Sequence, residues 1–186
     1  MGGMVAAVLL AAGGGTRFTG EEHKLLADLR GRPVVAHAVE AVTASGLDVF
    51  VVTGAVDIDH LLPDTVTIVR NPHWRDGQAV SVRAGIAVAD AAGHDAVVVG
   101  MADQPFVTAS AWRSVADADA PIAVATYDGV RGNPVKLSAH VWPLLPPSGD
   151  EVGRAVMSSR PELVSEIRCD GDATDIDTLE DLHRWT

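Results

Sequence analysis

Short runs of valine, isoleucine, leucine and alanine recur along the chain, and most of them are continuous rather than alternating with polar residues. Continuous apolar runs of this length are typical of strands covered on both faces, as in a parallel sheet. The pattern therefore predicts a sheet with helices packed on each side. The predicted strands are Val5–Leu10, Val49–Val52, Val66–Val69, Ala96–Val99, Ile122–Ala125, Val135–Leu137 and Val164–Ile167.

Helical patterns lie between these runs, with apolar residues on one face. Strands that alternate with helices are joined by right-handed crossovers and build a sheet between two helical layers. We therefore expect a single domain over residues 1–186 with a three-layer α/β/α fold, whose sheet is doubly wound, mostly parallel and Rossmann-like. The predicted helices are Val34–Ala44, Gln78–Ala91, Ala109–Ala116 and Thr178–Trp185.

The first predicted strand runs into consecutive glycines, Gly13 to Gly15, which Arg17 and Lys24 follow. Glycines let backbone N–H groups form a nest for an anion, and the two cations would add full positive charge. The segment is not a Walker loop, because Gly20 is not followed by lysine. It is not the dinucleotide fingerprint either, since Phe18 stands at the third glycine position, which disfavours an NAD-dependent oxidoreductase. A plain turn with both cations solvated is the alternative.

Carboxylates follow at two further places. Asp103 comes just after the predicted strand Ala96–Val99, so it should lie on the same rim of the sheet as the glycines. A carboxylate there could bind Mg²⁺, or it could instead cap the next helix or make a turn. Near the C-terminus, one of four aspartates could be a second metal ligand: Asp170, Asp172, Asp175 or Asp177. Asp177 or Thr178 could also cap the last helix.

A fourth segment surrounds the start of the predicted helix Gln78–Ala91. Gly77 and Gln78 would open the helix, whose first N–H groups could face an anion. Ser81 and Arg83 lie in its first turns. By residue type alone, a serine bonded to its own helix and a solvated arginine are favoured over functional roles.

The composition argues against several classes of partner. A net charge of −11 disfavours binding to nucleic acid or to an anionic membrane. The longest apolar stretch, Met4 to Ala12, is too short to span a bilayer. Cys169 is the only cysteine, which excludes an intrachain disulfide and suits a reducing compartment. We expect a cytoplasmic protein with no nucleic-acid or membrane partner.

Taken together, these segments resemble the MobA-like nucleotidyltransferases, and most closely the molybdenum cofactor cytidylyltransferase branch. The resemblance implies the nucleotide-diphospho-sugar transferase type of fold. The matching pieces occur in the family's order and cover nearly the whole chain. They are Leu10-Ala11-Ala12-Gly13-x-Gly15-x-Arg17, Lys24-Leu25-Leu26-Ala27-x-Leu29-x-Gly31-Arg32-Pro33, Asn71-Pro72-x-Trp74-x-x-Gly77, Ser81-x-Arg83-Ala84-Gly85, Asp103-Gln104-Pro105, Gly132-Asn133-Pro134 and Asp175-Ile176-Asp177-Thr178.

The resemblance also implies an activity. In this family, with Mg²⁺ bound, a substrate phosphate attacks the α-phosphorus of a nucleoside triphosphate and pyrophosphate leaves. In the cofactor branch the nucleotide is CTP, the acceptor is molybdopterin, and the product is delivered to a molybdoenzyme. By resemblance, Arg17, Lys24 and Asp103 would be catalytic and Asp103 and Asp177 would hold Mg²⁺. The nucleotide would be held by Leu10, Ala11, Ala12, Gly13, Gly15, Arg17, Lys24 and Ser81.

Alternatives within and outside this class stay open. Ala11-Ala12 resembles the cytidylyl branch, whereas the guanylyl branch usually has Ala-Gly-Gly there. A guanylyltransferase, another cytidylyltransferase with a phosphate acceptor, and a non-catalytic nucleotide-binding module are the competing hypotheses. The lack of a convincing Ser/His/Asp set is expected in either transferase, because such transfer needs positioning and charge neutralisation more than a covalent nucleophile.

The chain departs from the family pattern at three places. The spacing from Arg17 to Lys24 is longer than usual, and Leu179 stands where proline is common. One segment is a residue longer than in the family, which leaves the identity of the acceptor open: Gly149-Asp150-Glu151-Val152-Gly153-Arg154-Ala155.

We expect His23 and His73 to be surface residues. The four tryptophans are too dispersed in the sequence to predict a stacking platform.

Overall fold

A seven-stranded sheet is the central feature of the computed structural model, which describes residues 4–150 and 152–186. A separate two-stranded ribbon pairs two short strands, β2 and β3. In chain order the strands are β1 (Val5–Ala11), β2 (Asp28–Leu29), β3 (Arg32–Pro33), β4 (Asp48–Thr53), β5 (Thr67–Arg70), β6 (Ala96–Met101), β7 (Ile122–Tyr127), β8 (Val130–Ser138) and β9 (Val164–Arg168). The order across the large sheet is β5-β4-β1-β6-β8-β7-β9. Its neighbours pair in parallel except β8, which is antiparallel to both β6 and β7.

Helices cover both faces of this sheet. Successive residues of β1 point to opposite faces, so Val8 joins the core under one helical layer and Leu9 joins the core under the other. The first layer contains α2, and the second contains α1 and α3. This arrangement confirms the predicted three-layer α/β/α fold. None of the described helices is long and apolar enough to cross a membrane. The helices are α1 (Val34–Thr43), α2 (Gln78–Ala91), α3 (Ala109–Ala116), α4 (Val152–Ser159) and α5 (Leu179–Trp185).

The register of the central strands brings the predicted motifs to one rim. Leu10, near the end of β1, is paired with Val52 of β4 and with Met101 of β6. The three parallel strands therefore end side by side. The glycines follow β1 and Asp103 follows β6, so the expected common rim is confirmed.

The sequence analysis shortened one strand of the large sheet and did not predict the ribbon strands β2 and β3. The run Val135–Leu137 belongs to a longer strand, β8, which forms a hairpin with β7 and makes the sheet mixed at this edge. Asp128 and Gly129 make the connecting turn with φ angles of 49° and 83°. An Asp-Gly pair between two apolar runs is a strong hairpin signal, because both central residues of such a turn need positive φ. The helix α4 was also missed.

Candidate active site

A cleft of about 860 Å³ opens at the rim where β1 and β6 end. Every residue that the sequence analysis proposed for binding nucleotide or metal lies along it. These residues are Leu10, Ala11, Ala12, Gly13, Gly15, Arg17, Lys24, Ser81, Asp103 and Asp177. Arg83 is exposed and is not among the lining residues; its Nη1 donates to the Leu145 carbonyl at 3.5 Å.

The glycine loop, Gly13–Gly15, is held by close contacts on both sides. Gly15 has a φ of +60°, which favours glycine, and a Cβ there would come within 2.9 Å of His23 Nε2. A Cβ on Gly14 would come within 2.8 Å of the Trp74 ring. Glycine is therefore required at both positions, because the protein itself fills the space beside the loop.

Four charged side chains meet beside this loop and form the ion-pair cluster: Arg17, Lys24, Asp103 and Asp177. The Lys24 ammonium lies between the two carboxylates, 2.5 Å from Asp103 Oδ2 and 2.7 Å from Asp177 Oδ1. Arg17 Nη2 is 2.9 Å from the other oxygen of Asp177. Burial alone would lower the pKa of Lys24, but the charges and hydrogen bonds of the two carboxylates outweigh it and raise that pKa. Lys24 is therefore fully charged at neutral pH.

Local structure explains how residues so distant in sequence converge. The Ile176 N–H donates to the Asp103 carbonyl at 2.9 Å, and the Ile176 side chain is completely buried. This contact fixes Asp177 beside Asp103. Thr178 then caps α5, and its hydroxyl and the Asp181 carboxylate form the reciprocal bonds of a capping box. This geometry agrees with the expectation that the acidic turn at 177–178 can cap the last helix and also present the Asp177 carboxylate to the cleft.

The two carboxylates fit a divalent cation chemically. Carboxylate oxygen is the donor that Mg²⁺ prefers, and Mg²⁺ commonly takes only one or two protein carboxylates. Asp103 Oδ1 is buried and has no hydrogen-bond partner among the described residues, so it is available as a ligand atom. Within the same residues, no group of three or more His, Cys, Asp or Glu side chains is arranged to hold a metal. Phosphate oxygens and water would therefore have to complete the coordination.

A chain of polar contacts behind Asp103 was not foreseen. Gln104 Nε2 donates to Asp175 Oδ1 at 2.8 Å, and Gln104 Oε1 accepts from Asn133 Nδ2 at 3.1 Å. The Tyr127 hydroxyl donates to the Asn133 carbonyl at 2.7 Å. Partial desolvation, followed by the nearby Asp103 charge, raises the pKa of Asp175 to about 6. The Asp-Gln-Pro and Gly-Asn-Pro motifs are thus joined in space, a contact that sequence spacing alone does not indicate.

The start of α2 is bonded to a segment that is distant in sequence. The Gln78 N–H donates to Asp150 Oδ1 at 3.0 Å, and the Ala79 N–H donates to the Gly149 carbonyl at 2.8 Å. Gly77 has a φ of 105°, and a Cβ there would lie 2.8 Å from the Gly149 backbone. The 149–150 segment therefore occupies two of the first N–H groups of this helix, and the anion that one of them faces is the carboxylate of Asp150.

Ser81 lies one turn further along α2 and is buried. Its hydroxyl oxygen accepts a hydrogen bond from Asn71 Nδ2 at 2.8 Å, and Asn71 Oδ1 accepts from the His73 N–H at 3.0 Å. An accepted bond leaves the serine proton for another acceptor. Ser81 therefore lines the cleft with its hydroxyl oxygen held by Asn71.

Two residues around the cleft make contacts that the sequence analysis did not predict. The sequence analysis expects His23 at the surface, but its Nε2 bonds the Gly13 carbonyl of the glycine loop and its Nδ1 accepts from the Leu25 N–H. Trp74 was set aside as dispersed, yet its ring packs against the loop, and the Arg75 guanidinium lies 4.5 Å from its centroid. No short-range pattern in the sequence indicates these contacts.

The charges along the cleft nearly cancel. A triphosphate carries several negative charges, so these side chains alone do not neutralise it, and a bound cation would be needed. Glu151, part of the longer segment beside the cleft, lies outside the described residues. The lining side chains that carry charge are Arg17, Lys24, Arg75 and Arg154 against Asp76, Asp103, Asp150, Asp175 and Asp177.

Comparison with known families shows that one family model matches most of the chain. The sequence model described as "MobA-like NTP transferase domain" matches residues 7–164. The bifunctional enzyme IspD/IspF of Caulobacter vibrioides is 31% identical over 152 residues, which are 73% of this chain and 39% of that enzyme. The bifunctional protein GlmU of Symbiobacterium thermophilum is 37% identical over 107 residues, which are 55% of this chain and 22% of that protein. The chain therefore spans well under half the length of these curated relatives.

Solved structures extend the likeness to the whole fold. A nucleotidyl transferase from Methanothermobacter thermautotroptrophicus superposes with a TM-score of 0.83 at 26% identity, over 97% of this chain and 95% of its own. Rv0371C from Mycobacterium tuberculosis H37Rv, solved as a complex with manganese, gives a TM-score of 0.79 at 23% identity, over 98% and 97% of the two chains. At that identity the second likeness concerns the fold alone.

Proposed function

Because the chain belongs to the family of MobA-like NTP transferase domains, we propose that it transfers a nucleoside monophosphate from a nucleoside triphosphate to a phosphate-bearing small molecule. CTP is the proposed donor and molybdopterin the proposed acceptor, with delivery of the product to a molybdoenzyme. One observation carries the proposal: the glycine loop, two cations and two carboxylates meet at a single rim of the sheet.

In the proposed reaction an oxygen of the acceptor phosphate attacks the α-phosphorus of the nucleotide. The bond between the α-phosphorus and its bridging oxygen breaks, and the electron pair leaves with pyrophosphate. The acceptor oxygen is already ionised, so no strong general base is required. The protein's task is to align the two phosphates and to neutralise the charge that develops.

Each side chain has a role that fits its position. Arg17 is mostly exposed at the mouth of the cleft and would bind the outer phosphates. The Lys24 ammonium now lies between the two carboxylates. Its flexible stem would let it move from them to bind the triphosphate. Ser81 would donate its hydroxyl proton to the base, close to the backbone of Leu10, Ala11 and Ala12.

Asp103 and Asp177 would hold the metal. When bound, Mg²⁺ would offset the negative charge of the phosphates and make the α-phosphorus more susceptible to attack. The unpartnered oxygen of Asp103 supports this assignment from the structure itself. The manganese complex of Rv0371C agrees with a divalent ion in a protein of the same fold.

The test is release of pyrophosphate from CTP in the presence of Mg²⁺ and molybdopterin. Asp103→Asn keeps the shape of the side chain but removes its charge, and we expect a loss of about 100-fold or more in kcat, as when one electrostatic contact to a transition state is removed. Asp170→Asn is the matched control, since Asp170 is exposed and bonds Thr108 and Ser110 away from the cleft. Turnover by Asp103→Asn at the wild-type rate would contradict the metal assignment. Turnover with GTP in place of CTP would move the proposal to a guanylyltransferase.

A further inference from the structure

His23 connects two parts of the cleft that the proposed function treats separately. Its ring lies between the glycine loop and the short segment that carries Lys24 and Leu25. His23 Nε2 is 3.0 Å from the Gly13 carbonyl oxygen, and the Leu25 N–H approaches His23 Nδ1 at 3.3 Å. One side chain therefore bonds the first residue of the glycine loop and the backbone just after Lys24.

These two partners fix the protonation of the ring. A backbone N–H can only donate a hydrogen bond, so Nδ1 must accept from Leu25. A carbonyl oxygen can only accept one, so Nε2 must carry a hydrogen and donate it to the Gly13 carbonyl. Both bonds therefore require the neutral ring with hydrogen on Nε2. Burial, opposed by the bond to the Gly13 carbonyl, lowers the pKa of His23, which favours that neutral form.

The ring also sets the separation between the two segments. A Cβ on Gly15 would lie 2.9 Å from His23 Nε2 and 3.3 Å from Lys24 Cγ. The glycine loop, the imidazole and the Lys24 stem are thus in direct contact. A displacement of the ring would release the loop on one side and Lys24 on the other.

We propose that His23 is a positioning residue that fastens the glycine loop to the Lys24 segment, so that backbone N–H groups and the Lys24 ammonium meet the same triphosphate. The inference rests on the proposed function. It also explains how the chain tolerates the longer stretch between Arg17 and Lys24. Thr19, Glu21 and Glu22 within this stretch are exposed. The hydrogen bond between His23 and Gly13 closes the stretch, so that its added conformational freedom does not displace the residues that line the cleft.

The test compares three substitutions by their hydrogen-bonding atoms. His23→Gln places an amide N–H near the position of Nε2 and can donate to Gly13. His23→Asn places an oxygen near Nδ1 and can accept from Leu25, but it is too short to reach Gly13. His23→Ala does neither. The matched control is His73→Ala, which removes an exposed histidine that does not line the cleft.

We expect His23→Ala and His23→Asn to raise the KM for CTP about tenfold, because each loses the hydrogen bond that orders the site. The kcat of both variants should fall by less than about threefold. His23→Gln should restore KM to within about threefold of the wild type, and His73→Ala should leave it unchanged. A generally destabilising change would instead lower the unfolding temperature without this order among the variants. Equal KM values for His23→Gln and His23→Asn, or an unchanged KM in His23→Ala, would overturn the inference. If His23→Ala does not fold, the comparison of Gln with Asn decides alone.

A second readout does not depend on turnover. A glutamate-specific protease should cut after Glu21 or Glu22 faster in His23→Ala and His23→Asn than in the wild type, and at the wild-type rate in His23→Gln. Identical cleavage rates in all four proteins would also overturn the inference. If the wild type binds and turns over no nucleotide, the proposed function fails, and the proteolysis result still reports whether His23 fastens the two segments.

Discussion

Replacing Lys24 with methionine should make the protein depend on a divalent cation for its stability. In the structure the Lys24 side chain is 13% exposed, and those of Asp103 and Asp177 are 8% and 18% exposed. Lys24→Met keeps most of the apolar stem but leaves two nearly buried carboxylates 2.5 and 2.7 Å from where the ammonium was. Among the residues that the structure describes, Arg17 alone would still pair with Asp177.

The expected magnitude follows from this burial. Removing one partner of a buried ion pair costs about 3–5 kcal/mol, because the remaining charge is left uncompensated. We take the lower end, about 3 kcal/mol, since Arg17 remains. For a chain of this length each kcal/mol lowers the unfolding temperature by about 2–4 °C, so a decrease of about 10 °C is expected.

A divalent cation should reverse most of this loss. With Lys24 absent, a cation bound between Asp103 and Asp177 meets no competing ammonium, so it binds more tightly and stabilises the folded state by mass action. The assay is thermal unfolding without nucleotide, in EDTA and in a millimolar series of MnCl₂. The increase in unfolding temperature with Mn²⁺ should be clearly larger in Lys24→Met than in the wild type.

Arg75→Met is the matched control, because it also removes a cation from the cleft. Arg75 is exposed and lies over Trp74, so its loss should cost less than about 1 kcal/mol. Its response to Mn²⁺ should equal that of the wild type. An unfolding temperature of Lys24→Met equal to the wild type, or the same Mn²⁺ response in all three proteins, would refute the reasoning.

Three further substitutions test the parts that position the site. Gly85→Ala would place a Cβ 2.4 Å from Val8 Cγ1, so it should destabilise the protein by about 1–3 kcal/mol in urea unfolding; no change would show that α2 can shift freely. Thr178→Ala removes the hydroxyl cap of α5 and should cost about 1 kcal/mol by the same assay, whereas Thr178→Ser should not. Asn71→Ala leaves the His73 N–H and the buried Ser81 hydroxyl without this partner, so the KM for CTP should rise several-fold; an unchanged KM would argue against Ser81 as a base contact.

Much of the fold could be predicted because its signals are local. The helices Gln78–Ala91 and Ala109–Ala116 were predicted with the bounds that the structure shows. Mostly apolar runs located all seven strands of the large sheet, and the run is continuous in the central strands β1 and β6, which are buried on both faces. The antiparallel β8 was shortened to Val135–Leu137 because its outer half, Val130 to Asn133, is partly polar and less buried. The Asp128-Gly129 turn was the available signal for that hairpin.

From the residues alone, the site could be predicted only as far as strand order reaches, and the family resemblance supplied the other site residues. Asp103 and the glycine loop follow parallel neighbours, so their common rim was predictable. The contact between Lys24 and Asp177 joins residues 153 positions apart, and no periodicity encodes such a distance. The same holds for the 149–150 segment that occupies the start of α2. His23 was misjudged because a histidine in a polar loop looks solvent-exposed until its two backbone partners are placed.

The central claim is that the ion-pair cluster and the glycine loop bind a nucleoside triphosphate together with a divalent cation. Calorimetric titration of the wild type and of Asp103→Asn with CTP, GTP, ATP and UTP in Mg²⁺ tests it most directly. We predict that CTP binds the wild type most tightly and that Asp103→Asn binds it at least about tenfold more weakly, the loss of roughly 1.4 kcal/mol. Equal affinity of the two proteins for CTP, or no binding of any of the four nucleotides, would contradict the account.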